Sequence, residues 1–106
     1  MATAVQPLQK QNIFERPGVH AVRLSIQRGH AVPTHSSNVD VTAVTVKGAG
    51  TFTVEGTPTH LEPGVVVEMR PNTAHSVAAD AGQDLELVVL HYRLSADGPA
   101  TVHCGA

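Results

Sequence analysis

Tryptophan is absent from this chain of 106 residues, cysteine occurs once, and only Phe14, Phe52 and Tyr92 are aromatic. With so few rings the core must be built from Val, Leu, Ile and Ala, and the β-branched residues among them favour strands. A lone Cys104 excludes an internal disulfide and fits a reducing, cytoplasmic setting. So close to the C-terminus, its thiol reads as part of a frayed, inert tail. Charged residues are scarce at 15%, and the formal net charge is −2. That balance gives no electrostatic reason to expect nucleic acid or an anionic membrane as partner. No run approaches the roughly 20 apolar residues that span a bilayer. Residues 1–7 have neither a charged start nor an apolar stretch, so a secretory signal is not expected. No segment joins helical periodicity to a cap and sufficient length, which excludes a helical fold.

What is present is 42% apolar sequence, enough for the modest core of one globular domain. Residues 1–12 are polar and read as an arm, either an added edge strand or disordered. Val19 to Gln27 alternates, with His20, Val22, Leu24 and Ile26 on one face, as a half-buried strand does. Ala31 to Ser37 is extended, and Pro33 places it at an edge or a strand start because proline cannot donate to a ladder. Val39 to Val46 is a strand that becomes apolar on both faces, so a partner subunit could cover its outer side. Lys47-Gly48-Ala49-Gly50 reads as a hairpin turn into a strand at Thr51–Glu55. Further turns at Gly56-Thr57-Pro58, Pro63-Gly64 and Arg70-Pro71-Asn72 separate short strands. Leu85 to Leu94 is the last long strand, and residues 95–106 look like a tail. Eight or more short strands with frequent turns make the domain, residues 13–94, an all-β sandwich or barrel.

With the strands placed, the sequence resembles the cupin superfamily from about Ile13 to Leu94. The first motif of that family opens with glycine, five residues and a histidine, here Gly29 and His35, and closes on a glycine, here Gly48. The second keeps its spacing as Gly64, five residues, Arg70-Pro71-Asn72, two residues and His75. Ser37 stands where the family has a second histidine, Val41 where it has glutamate, and Asn72 where it has glycine. Asparagine tolerates the left-handed conformation, so the last change is mild. The resemblance implies a double-stranded β-helix, or jelly-roll, barrel. In this family three histidines and a glutamate hold one divalent metal inside the barrel, with open positions for substrate.

Of those four ligands, His35 and His75 carry over directly. Two residues can be weighed as completing the set. Asp40 is one residue off register, so its side chain should face away unless a bulge intervenes. His91 alternates with Leu85, Leu87 and Val89 on an interior face, from which it could reach across to His35 and His75. Ser37, Val41, Phe52 and Met69 are the expected pocket lining. His20 is expected to be structural, and His30 and His60 to lie at the surface, while His103 falls in the tail.

Two functions of different kind follow. One is a metal-dependent enzyme of dioxygenase, isomerase or decarboxylase type, using Fe, Mn, Ni or Zn through imidazole nitrogens. No general base is evident for it, and no catalytic residue can be named. The other is a metal-free module that binds or senses a small molecule, with the histidines as hydrogen-bonding groups in apolar walls. A homodimer is expected with either.

Overall fold

The computed structural model describes residues 7–93 as nine strands in two antiparallel sheets, with no helix among them. The five-stranded sheet runs β1 (Leu8–Arg16), β2 (Val19–Ile26), β9 (Leu85–Tyr92), β4 (Asp40–Lys47) and β7 (Val66–Met69) in spatial order. The four-stranded sheet runs β3 (Ala31–His35), β8 (His75–Ala79), β5 (Gly50–Val54) and β6 (Thr57–Leu61). This is a jelly roll, the form of β-sandwich or barrel that the family resemblance implied. β1 crosses the boundary expected at residue 12, so the polar arm from Leu8 onward is an edge strand laid along β2. The expected tail, with His103 and Cys104, lies outside the described residues.

Period-two alternation fixes which side chains meet between the sheets. Val22, Leu24 and Ile26 of β2 turn inward, as do Leu85, Leu87 and Val89 of β9 and Val41 and Ala43 of β4. Ile26, Leu61, Leu85 and Leu87 are the largest fully buried side chains. Each contributes about 1.5–3 kcal/mol by leaving water. They gather at one end of the barrel, where Ile26 pairs with Leu85, Leu61 pairs with Gly50, and Gly50 touches Leu85. At the opposite ends of β2 and β9 sit His20 and His91, and His35 and His75 of β3 and β8 share a cavity with His91 there. The barrel is thus plugged by aliphatic residues at one end and lined by imidazoles at the other.

The connection at residues 47–50 is not the hairpin that its glycines suggested. β4 pairs with β7 and β9, whereas β5 pairs with β6 and β8, so this segment carries the chain from one sheet to the other. Gly48 makes that passage with φ of 87° and lies against the backbone carbonyl of Asp84. A Cβ at this position would meet that carbonyl, and the left-handed backbone adds its own cost. Val44 is half-buried on the outer face of β4, and Val46 and Val66 are 44% and 52% exposed, which leaves apolar surface outside the larger sheet.

Gly29, with φ of 77° and open space around it, provides a control for the crossover. Gly29→Ala should cost about 1–2 kcal/mol from backbone strain alone. Gly48→Ala should cost about 2 kcal/mol more, because the new methyl group overpacks against Asp84. Urea unfolding of both variants measures the difference, and equal costs would mean that the crossover is not tightly packed.

Candidate functional site

His35 and His75 are cross-strand partners on β3 and β8. Their register depends on an irregularity. Ala31 pairs with Ala78 and Val32 with Val77, yet His35 pairs with His75, so β3 carries one extra residue between Val32 and His35. A bulge of this kind reverses the alternation of side chains beyond it. Val32 and His35, three residues apart, therefore both line the barrel interior. Pro33 sits in the bulge of an edge strand, where its missing N–H disturbs no ladder.

Each of the two rings is held by the backbone two residues before it. Nδ1 of His35 lies 3.0 Å from the carbonyl oxygen of Pro33, and Nδ1 of His75 lies 2.8 Å from that of Thr73. A carbonyl oxygen only accepts, so Nδ1 must carry the hydrogen in both rings. In the neutral imidazole the lone pair is then on Nε2. The rings meet edge to face with centroids 4.3 Å apart, and Phe52 stacks on His75 at 5.9 Å. His75 is 5% exposed and His35 is exposed at the mouth. Burial lowers the His75 pKa below 6.5; the hydrogen bond to Thr73 opposes that shift and the neighbouring His35 adds to it.

The turn between β7 and β8 is fastened to the segment after β3. Asn72 takes the left-handed conformation expected of it, with φ of 64°, and its N–H donates to the carbonyl of Ser37 at 2.7 Å. Arg70 reaches Asp40, with Nε 3.2 Å from the carboxylate. Across that turn, the amide of Glu55 donates to the carbonyl of Ala74.

A cavity of about 70 Å³ opens between the sheets at this end. Its polar lining comes from His35, His75, His91 and Lys10, and its apolar lining includes Val22, Leu24, Val41, Phe52 and Val77. Val41 and Phe52 are among the residues that line it. Ser37 and Met69 do not line the cavity: Ser37 engages Asn72 through its backbone, and Met69 is buried in the core opposite Val41. Lys10 was missed because the polar arm gave no sign that β1 would cross the barrel mouth.

Asp40 does not join the histidines. β4 pairs with β9 without a shift from Asp40 through Thr45, so no bulge turns Asp40 inward. Its carboxylate faces away from Val41 and is held by Arg70. His91 does reach the cavity, as the cross-strand neighbour of both Val41 and His20. Its Nδ1 is buried without a hydrogen-bond partner, and burial is the main cause of its lowered pKa, with His20 and Lys10 contributing. Among the described residues no group of three His, Cys, Asp or Glu side chains is disposed to hold a metal ion. The structure therefore brings His35 and His75 together and leaves His91 as a wall of the same cavity. His20 bonds through Nε2 to Asn12, and His30 and His60 are exposed.

These features identify the chain's class. The family model described as Cupin domain matches residues 22–91, and the chain belongs to that family. No curated protein matches it. Among solved structures it is similar to KdgF from Halomonas sp., with 24% identity, TM-score 0.78, and coverage of 90% of this chain and 87% of that one. It is also similar to a cupin protein from Bacteroides fragilis, with 15% identity, TM-score 0.76, and coverage of 100% and 94%. A third is the cupin domain of Cnp3 from Schizosaccharomyces pombe, with 16% identity, TM-score 0.78, and coverage of 88% and 69%. At these identities the likeness is one of fold.

The buried imidazoles give stability a pH dependence of defined sign. His75 and His91 bind protons less readily folded than unfolded, so acid favours the unfolded chain. Unfolding free energy should be flat above pH 6.5 and fall as pH drops through 6.5 towards their lowered values. His91→Leu should flatten that slope and change stability at pH 7.5 by less than about 1 kcal/mol, since it removes an acceptor that is already unpaired. Urea titrations at pH 7.5 and 5.5 test both statements, and a loss above about 2 kcal/mol at pH 7.5 would mean that His91 has a structural partner.

Proposed function

We propose that this cupin binds a small organic molecule in the cavity beside His35 and His75, with a divalent transition metal held by the two Nε2 atoms. The observation that carries this reading is the pair of Nδ1–H to carbonyl hydrogen bonds. Such an outer hydrogen bond fixes the tautomer and aims the opposite nitrogen, which is how ligating histidines are usually prepared. Imidazole suits Fe, Ni and Zn, and tolerates Mn. Two imidazoles leave most positions to water and to oxygen atoms of the small molecule. The ion, when bound, would supply Lewis-acid polarisation and a template for the ligand. The chain's own residues would do the rest: Phe52 and the valines exclude water, His75 and His35 orient the ion, His91 offers a further imidazole, and Lys10 offers hydrogen-bond donors to the small molecule.

Binding is the activity supported best. A dioxygenase, isomerase or decarboxylase would have to draw any acid–base group from the imidazoles, since no carboxylate lines the cavity among the described residues. A second reading has the same cavity take its small molecule without metal. The lack of a third ligand among the described residues favours it.

Titration of metal-free, untagged protein with Zn(II) or Co(II) in a calorimeter separates the two. The metal reading predicts saturation at a single ion per chain. It also predicts that His35→Ala and His75→Ala each weaken binding by at least about a hundredfold, since even an outer-shell change costs ten- to a hundredfold. Saturation far below one ion per chain in the wild-type protein would leave the metal-free reading.

A further inference from the structure

The charge balance of the cavity defines the chemical class of its ligand, an inference that rests on the ligand-binding role proposed above. Among the described residues, the polar side chains lining the cavity all carry nitrogen: His35, His75, His91 and Lys10. No acidic side chain lines the cavity among the described residues, and the remaining lining is valine, leucine and phenylalanine. Asp40, the nearest carboxylate in sequence to the motif, is turned to the other face of β4 and held by Arg70.

Lys10 owes its position to β1. It pairs with Leu24, a cavity residue, and so shares the inner face of the sheet with Asn12, which pairs with Val22. Arg23, Arg28 and Arg70 each have a carboxylate within ion-pair distance, whereas Lys10 makes no ion pair among the described residues. A cation at the rim of an apolar cavity without a protein counter-charge is an acceptor site for an anion. A divalent ion on the two histidines would deepen the deficit, because no protein carboxylate offsets its charge.

We propose that the ligand of this cavity is a small organic carboxylate. Its carboxylate group sits against the Lys10 ammonium and its aliphatic part enters between Val41, Phe52 and Val77. The cavity of about 70 Å³ admits only a few heavy atoms, so a larger acid would extend outward past Lys10 and His35. Lys10 is then the residue that selects an acid over its neutral isostere.

The probes are propionate and propionamide, which match in shape and differ in charge. Each is titrated into metal-free, ¹⁵N-labelled protein at constant low ionic strength, where an exposed charge is least screened. Propionate should shift the amide signals of Val41, Val77 and His75 and bind about tenfold more tightly than propionamide, as expected for a charge-assisted contact. Lys10→Gln should erase that preference while leaving the rest of the spectrum in place, because the lysine lies on an exposed strand. Equal affinity for the two probes, an unchanged preference in Lys10→Gln, or no shift at the cavity with propionate would overturn the proposal. The titration holds no metal, so it stands or falls separately from the metal reading. Loss of metal binding with a retained preference for propionate would dismiss only the ion.

Discussion

One extra residue in β3 decides which way His35 faces. With a regular ladder, Thr34 would stand opposite His75 and His35 would point out of the barrel. The bulge between Val32 and His35 reverses that parity and sets the two imidazoles side by side. The metal reading proposed for the two Nε2 atoms depends on this local disturbance. It is stabilised by the edge position of β3, where Pro33 leaves no broken ladder, and by the Pro33 carbonyl, which accepts the His35 Nδ1–H.

The same end of the barrel is held by loop contacts rather than by aliphatic packing. Asn72 bonds to Ser37 and Arg70 pairs with Asp40, and both links join the segment after β3 to the turn before β8. Asp40 is nearly buried, while the Arg70 side chain is 80% exposed. Such a half-exposed pair orders the turn more than it stabilises the fold. The far end, with Ile26, Leu61, Leu85 and Leu87, provides the hydrophobic energy. Division of labour between the two ends lets the histidine end remain open without loss of the core.

Much of the fold was legible because alternation and turn chemistry act locally. Valine-rich strands, Pro63-Gly64 and the left-handed Asn72 are all visible in a single sequence. The crossover at residues 47–50 was not, since its two glycines suit a hairpin as well as a passage between sheets, and only pairing partners distinguish the two. Near the cavity, Val41 was marked by the family motif, and strand parity gave the default for Asp40 that the unshifted β4–β9 register keeps. Ser37 and Met69 were misjudged because lining depends on how deep a residue sits, and periodicity reports facing but not depth. Lys10 was missed for a different reason: a polar edge strand has no hydrophobic pattern to register it, so its contact with the cavity exists only once β1 is laid on β2.

The central claim is that both histidines present a bare Nε2 because the backbone fixes the hydrogen on Nδ1. Long-range ¹H–¹⁵N correlation spectra of the imidazole side chains at pH 7.5 observe this state directly. The account predicts that His35 and His75 both occupy the Nδ1–H tautomer, with Nε2 at the shift of an unprotonated nitrogen. A spectrum showing Nε2–H on either ring, or rapid exchange between tautomers, would contradict it.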